Sequence, residues 1–163
     1  MIRTERLVLR PAREDDLEAI HRILSDGRAM RYWSSLPHSD QDETRAWLSS
    51  MIGGDRNGNS DFIVELEGEV IGKAGCYQLP EIGYILHPEH WGKGYATEAM
   101  RAVIAHIFAS FPIPALRADI DPRNQTSIRL LERLGFTLSG RASRTWQIGD
   151  EWCDSVYYEL KRP

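Results

Sequence analysis

The chain has 163 residues, 42 % of them hydrophobic, which suits one domain with a proper apolar core. Its formal net charge is −4, with acidic and basic residues interspersed. The sequence has no basic stripe of the kind that binds nucleic acid, so we expect no nucleic-acid partner. Neither a signal segment nor an apolar run approaching about 18 residues is present, which predicts a cytoplasmic protein without a membrane partner.

The first half of the chain predicts four strands and two helices. The strand signals are short apolar or alternating runs, at residues 7–9, 62–66, 70–77 and 82–86. Acidic residues at 14–16 begin the first helix, and a capping box, Ser39-x-x-Asp42, opens the second. The glycine-rich residues 53–58 end that helix in a mobile loop. Residues 67–68 predict a tight hairpin, so this part of the sheet is antiparallel.

The second half predicts two helices and three strands. A buried stripe at helical spacing marks residues 95–107, and Asn124 and Gly135 are the expected caps of the last helix. The strands lie at residues 116–120, about 136–146 and about 152–160. Because a helix separates strands 82–86 and 116–120, these two should run parallel. The order βααβββαβαββ predicts an α/β fold with a mixed, mostly antiparallel sheet of about seven strands and about four helices.

A glycine-broken turn stands between strand 82–86 and the helix behind it. Gly92 and Gly94 let the backbone turn tightly with no Cβ in the way, so successive N–H groups can point at one anion. The helix adds unsatisfied N–H groups and the positive end of its dipole. Gly92 to Thr97 therefore predict a phosphate cradle.

Two common phosphate motifs fit this turn poorly. The P-loop needs Ser or Thr after its Gly-Lys and a glycine at its start, but Gly94 and His87 occupy those two positions here. The dinucleotide fingerprint needs a third glycine, but Thr97 occupies that position. The run Trp91-Gly-Lys-Gly-Tyr-Ala96, preceded by Leu86-His-Pro88 and followed by Thr-Glu-Ala-Met, instead resembles the pyrophosphate loop of the GNAT superfamily of N-acetyltransferases.

The resemblance extends over essentially the whole chain, because the predicted element order is that of the superfamily. It implies a single N-acetyltransferase domain over residues 1–163 with acetyl-CoA as co-substrate. The tryptophan at 91 resembles the branch that acetylates N-terminal amines of ribosomal proteins. The superfamily's usual Arg or Gln at that position is absent, a departure that is common in this branch.

The resemblance also implies which residues hold the cofactor. The pantetheine arm would pair with the strand before the loop like an added strand, and the amide of Leu86 would polarise the thioester carbonyl. The run from Asp121 to Phe136 resembles the second cofactor motif, in which Asn124 bonds the arm and can still cap its helix. The expected cofactor-binding residues are Leu86, His87, Pro88, Trp91, Gly92, Lys93, Gly94, Tyr95, Ala96, Thr97 and Asn124.

The expected catalytic residues are Glu81 and Ser127. An ammonium must lose a proton before it attacks, and Glu81 begins the thioester-bearing strand and resembles the family's acid there; otherwise it is a solvated strand-end charge. Glu65 and Asp154 are further candidates for this role. Many relatives carry a thiolate-protonating tyrosine where this chain has Leu131, and Ser127, one helical turn earlier, could donate a hydrogen bond to the sulfur instead.

An aromatic-walled acceptor cleft is expected, because the family builds this cleft from its first two helices and last hairpin. The aromatic residues in those segments are Tyr32, Trp33, Trp47, Trp146 and Trp152. Taken singly, each is a core residue by type. No His-x-x-x-His pair occurs, and Cys76 and Cys153 stand far apart without a C-x-x-C partner, so we expect reduced thiols and no metal.

These features predict an acetyl-CoA-dependent N-acetyltransferase that transfers acetyl directly to a primary amine in a ternary complex. A protein N-terminal amine is the first choice of acceptor and a small amine the second. A non-catalytic acyl-CoA-binding or sensing module, which would dispense with Glu81, is the alternative. A nucleotide-binding oxidoreductase is a third reading. The sequence leaves the oligomeric state open.

Overall fold

A computed structural model describes residues 1–53 and 60–163. Within these residues, helices cover both faces of one sheet. The strands are β1 (Ile2–Arg3), β2 (Leu7–Arg10), β3 (Asp61–Leu66), β4 (Glu69–Gln78), β5 (Glu81–Leu86), β6 (Ala115–Ile120), β7 (Thr137–Ile148) and β8 (Glu151–Lys161). The α-helices are α1 (Leu17–Leu24), α2 (Gln41–Gly53), α3 (Tyr95–Ser110) and α4 (Gln125–Arg133), and 3-10 turns lie at Glu14–Asp16 and Pro88–His90.

The strands follow the order β1-β2-β3-β4-β5-β6-β8-β7, and of the neighbouring pairs that the structure describes only β5 and β6 run parallel. This confirms the predicted α/β fold and its mostly antiparallel sheet. The described residues hold eight strands rather than about seven. The extra strand, β1, pairs two residues with β2, which is too short for any periodicity to reveal. Beyond Gly53, the predicted loop at 53–58 lies outside the described residues.

Local backbone signals explain most of the element boundaries. Glu67 and Gly68 both have left-handed φ, 51° and 84°, which is the conformation that a two-residue hairpin between β3 and β4 requires. At the end of α4, Gly135 has φ 96° and the Phe136 N–H donates to the Leu131 carbonyl. The predicted hairpin and the predicted helix end are therefore both confirmed.

The cap of α2 lies one residue later than the sequence predicted. Asp40 Oδ1 accepts from the Glu43 N–H at 3.0 Å, and the Glu43 carboxylate accepts from the Ser39 hydroxyl at 2.7 Å. Because α2 begins at Gln41, the side chain that reaches the third helical amide is Asp40. The predicted pairing of Ser39 with Asp42 was wrong for this reason.

Two apolar cores lie on opposite faces of the sheet. One packs α3 and α4 against the central strands, and the other packs α1 and α2 against the opposite face. Strand β5 contributes to both, because Ile82 and Leu86 belong to the first core and Ile85 to the second. By the same alternation Tyr84 lies on the α3–α4 face, and Glu81 on the α1–α2 face.

A buried charge network ties β2 and β3 to the segment before α1. The Arg10 guanidinium donates to Asp16 at 2.6 and 2.9 Å and also to Glu65. Burial opposes ionisation of Asp16, but the hydrogen bonds from Arg10 and from the Arg13 amide outweigh it and lower the pKa of Asp16. The network is a structural link between elements.

Candidate active site

The sheet opens at its centre, between β5 and β6. Their one registered pair is Glu81 with Arg117, whose N–H donates to the Pro80 carbonyl at 2.9 Å. Beyond it, no further pair between these two strands is found among the described residues. His87 N–H donates to Ile71 on β4, so alternation directs the Leu86 N–H to the other side, into the opening.

The glycine turn after β5 has the geometry of an anion cradle. Gly92 and Gly94 have left-handed φ of 73° and 82°, and α3 begins at the next residue. The first helical hydrogen bond runs from the Glu98 N–H to the Gly94 carbonyl at 3.0 Å. The amides of Tyr95 to Thr97 therefore have no acceptor within the helix and are free to bind an anion. A Cβ on Gly92 would meet nothing within 4 Å, so the cradle has room beside it.

The other cofactor candidates lie along the same edge. Trp91 folds back so that its indole N–H donates to the Leu86 carbonyl at 3.0 Å. His87 is buried, and its Nδ1 accepts from the Glu89 N–H at 3.2 Å, in the 3-10 turn that Pro88 begins. The strand end and the loop are thus joined by side-chain hydrogen bonds before α3 begins.

Asn124 and Ser127 lie together at the start of α4. Asn124 accepts from the Ser127 N–H at 3.3 Å, which confirms the predicted cap. The Tyr84 hydroxyl on β5 contacts Ser127 Oγ at 2.7 Å, and burial raises the pKa of Tyr84. Tyr84 is not among the residues that the sequence predicted for the site. Strand alternation could have indicated it, because alternation puts Tyr84 on the α4 side of the strand that carries Glu81.

A cleft of about 420 Å³ lies on the α1–α2 face of the sheet. Its walls are the segment between α1 and α2 and the β7–β8 hairpin, and its floor includes Glu81 and Gly83. The predicted residues that it brings together are Tyr32, Trp33, Trp146, Glu81 and Asp154. It is therefore adjacent to the β5–β6 opening, on the side opposite Ser127.

Two predicted aromatic residues do not line this cleft. Trp47 packs against the core beneath α1 and α2. Trp152 is not among the residues that line the cleft, although its neighbours Glu151 and Cys153 are. The guanidinium of Arg144 lies 4.9 Å from the Trp152 ring.

The cleft is acidic. Its lining carboxylates outnumber its arginines five to two, and they are Glu81, Asp119, Asp121, Glu151 and Asp154. Arg123 bridges Asp121 and Glu151, each at 2.7 Å, while Trp146 donates to Asp119 at 2.9 Å. Burial opposes ionisation of Asp121, but the hydrogen bonds from Arg123 outweigh it and lower the pKa of Asp121. A cationic ligand would find a favourable potential here.

Metal-ligand clusters and membrane-spanning helices are both absent from the part of the chain that the structure describes. Within residues 1–53 and 60–163, no three His, Cys, Asp or Glu side chains are grouped so that they could hold a metal ion. In the same residues, no helix has the length and apolar character needed to cross a bilayer. Glu65, a further candidate for the base, is instead paired with Arg10 in the network described above.

Comparison with known proteins identifies the class that this fold and site define. The model of the GNAT acetyltransferase domain matches residues 6–137. The chain is 32 % identical to the uncharacterized N-acetyltransferase p20 of Bacillus licheniformis, over 84 % of this chain and 82 % of the relative. The protein therefore belongs to the GNAT acetyltransferase family and is an acyltransferase.

Two more matches extend this picture. The spermidine N(1)-acetyltransferase of Escherichia coli strain K12 is 28 % identical over 91 % of this chain and 82 % of its own length. The structure of RimL, a ribosomal L7/L12 α-N-protein acetyltransferase in complex with coenzyme A, superposes with a TM-score of 0.85. It covers 97 % of this chain and 95 % of RimL at 22 % identity, which shows a shared fold.

Proposed function

We propose that the protein binds acetyl-CoA along the open edge of β5 and transfers acetyl directly to a primary amine in the acidic cleft. The observation that supports this best is the course of β5. Its first residue, Glu81, is on the floor of the acidic cleft, and its last residue leads into the glycine cradle. One strand therefore links a site suited to an amine with a site suited to a pyrophosphate.

The residues of this chain fit the cofactor. The free amides of Tyr95 to Thr97 would hold the pyrophosphate, and the Leu86 N–H would bind the thioester carbonyl. Asn124 would bond the pantetheine arm while it caps α4. Acetyl-CoA supplies the activated acetyl group, so the chain has to bind it, orient it and manage protons.

Glu81 is our proposed proton acceptor, acting through water. The rise of an extended strand separates Glu81 and Leu86 by about 16 Å, so a carboxylate at one end does not contact an amine held at the other. The Glu81 side chain covers part of this distance, and a short chain of water molecules within the cleft can cover the rest. The carboxylate makes no hydrogen bond or ion pair with another described side chain, so it is available to those waters.

Ser127 is our proposed hydrogen-bond donor to the departing sulfur. Because Tyr84 stays protonated at neutral pH, its hydroxyl donates to Ser127 Oγ and leaves the serine proton free to point elsewhere. This arrangement would replace the function of the tyrosine that relatives carry at the position of Leu131.

The acceptor that we favour is the N-terminal amine of a protein, as the loop around Trp91 suggests, and a small amine is second. RimL, by its name, acts on a protein N-terminus, and the Escherichia coli relative, by its name, acts on spermidine. The carboxylate excess of the cleft suits either acceptor, since both carry positive charge.

Release of free CoA thiol with a panel of amines tests this function. The panel should contain peptides with free N-termini, the same peptides with acetylated N-termini, and polyamines. We expect thiol release with the free peptides above the rate without acceptor, and none above it with the blocked ones. Tight CoA binding without release from any amine would point to the sensing module instead, and release with polyamines alone would reverse our order of acceptors.

A further inference from the structure

Arg6, in the turn between β1 and β2, lies against the glycine cradle. Its Nε donates to Glu98 Oε2 at 2.7 Å, and its Nη1 donates to the Lys93 carbonyl at 2.9 Å. Its guanidinium carbon lies 4.5 Å from the centre of the Tyr95 ring. Three contacts therefore hold this side chain at the start of α3, although Arg6 stands 92 residues before Glu98 in the sequence.

The third guanidinium nitrogen has no partner within the part of the chain that the structure describes. This nitrogen, Nη2, lies 3.3 Å from the point where a Cβ on Gly94 would stand. Gly94 directly precedes the free amides of α3, so Nη2 lies at the edge of the cradle. The Arg6 side chain is 41 % exposed, which leaves it open to a ligand from solvent.

The charge of Glu98 means that an anion can bind at the start of α3 only if a nearby cation compensates it. Glu98 stands in the first turn of α3, where its charge would repel a bound anion. Burial opposes its ionisation, but hydrogen bonds from Thr4 and Arg6 outweigh that effect and lower the pKa of Glu98. Glu98 is therefore ionised at neutral pH, and Arg6 compensates its charge while keeping Nη2 free.

We propose that Arg6 is a direct ligand of the cofactor's pyrophosphate, through the free Nη2. The position directly before the loop, where the resembling motif carries Arg or Gln, holds Trp91, whose indole N–H is already bonded to Leu86. Arg6 supplies from another part of the chain the side-chain donor that the motif's usual Arg or Gln would provide at position 91. This inference rests on the proposed binding of acetyl-CoA at the loop.

Calorimetric titration of the full-length protein with CoA tests the contact. Arg6→Gln should bind CoA about 10- to 100-fold more weakly, because a charge-assisted hydrogen bond is lost. Binding of pantetheine, which lacks the pyrophosphate, should stay unchanged. Arg3→Gln is the matched control, since it removes the same charge from the same segment at an exposed position of β1. Equal weakening of CoA and pantetheine would overturn the proposal.

The double variant Arg6→Gln/Glu98→Gln separates a direct contact from charge compensation. If Nη2 touches the pyrophosphate, CoA binding should remain weak when Glu98 is also neutral. Recovery of wild-type affinity in the double variant would show that Arg6 only neutralises Glu98. If the unaltered protein failed to bind CoA, the proposed function itself would fail. Unaltered binding together with an unaffected Arg6→Gln variant would reject this inference alone.

Discussion

At Tyr84, one hydroxyl determines which way a second hydroxyl points. The Tyr84 hydroxyl lies 2.7 Å from Ser127 Oγ, and burial raises the pKa of Tyr84, so the phenol keeps its proton and donates it. A serine hydroxyl that accepts one hydrogen bond can still donate a second one through its own O–H. Because the Ser127 N–H is bound to Asn124, the backbone at this serine is held as well.

Tyr84→Phe should lower kcat about fivefold with little change in CoA affinity, since it removes one orienting hydrogen bond of about 1 kcal/mol. The same change in a Ser127→Ala background should have almost no effect, because the serine it orients is gone. Tyr77→Phe, at an exposed tyrosine of β4, is the control. Steady-state kinetics and CoA titration of the wild type, the two single variants, the double variant and the control measure this, and additive losses in kcat would contradict it.

Glu81→Gln should lower turnover near neutral pH by about 10²- to 10⁴-fold, the usual contribution of a general base. CoA affinity should hardly change, since the side chain faces the acceptor cleft and not the cradle. The deficit should shrink at high pH, where the amine loses its proton without help. Turnover measured across pH checks both points. If the variant kept wild-type turnover at neutral pH, Glu81 would not be the base, and Asp154 would be the next candidate.

At the scale of elements, a buried polar contact joins α1, α2 and the segment between them. Thr44 is fully buried, and its Oγ lies 2.8 Å from His21 Nδ1 and 2.7 Å from His38 Nδ1. Burial, more than the repulsion from His21, lowers the pKa of His38 below its ordinary value of 6.5, while Glu43 and Asp40 partly oppose this. Burial at this contact therefore favours neutral His38.

Stability should fall as the pH drops below 6.5, because the unfolded chain then binds a proton at His38 that the folded chain resists. The stabilisation is complete above that pH and decreases as the pH falls through the lowered pKa. His38→Gln cannot take up this proton, so its melting temperature should depend less on pH between about 5 and 7. Thermal melts of both proteins across this range measure the effect, and parallel curves would exclude His38 as its source.

Asp16→Asn should destabilise the fold by about 3 to 5 kcal/mol, because it leaves the buried Arg10 guanidinium with an incomplete set of acceptors. Asp15→Asn is the matched control. Its carboxylate is 81 % exposed, so the free energy of unfolding should stay within about 0.5 kcal/mol of the wild type. Denaturant unfolding measures both values, and equal values for the two variants would mean that the network adds no stability.

At the scale of the whole molecule, CoA should raise the melting temperature. Ligand at about 100 times its dissociation constant adds about 2.7 kcal/mol to the free energy of unfolding. Gly94→Val should abolish this shift, because φ is 82° there and the new side chain would press on Arg6 Nη2. Gly27→Ala, where a Cβ meets nothing within 4 Å, should keep it. A full shift in the Gly94 variant would remove the loop from the cofactor site.

The order of the elements could be predicted from the sequence because each depends on local periodicity and on caps such as Asn124 and Gly135. β1 could not be predicted, since a two-residue strand exists only through its pairing with β2. The same limit applies to the site. The glycine loop is continuous in the sequence, whereas Tyr84 meets Ser127, and Arg6 meets Glu98, only once the sheet has formed.

The opening between β5 and β6 has a consequence for amide hydrogen exchange. Amides in the middle of a sheet are normally among the slowest to exchange, because their bonds break only when much of the fold opens. Among the residues that the structure describes, the outward amides of Tyr84 and Leu86 in β5 have no strand partner, so they should exchange as quickly as loop amides, while those of Ile85 and His87 stay protected by β4. A strand at the centre of the sheet would then alternate, residue by residue, between fast- and slow-exchanging amides, and cofactor binding would make the pattern uniform.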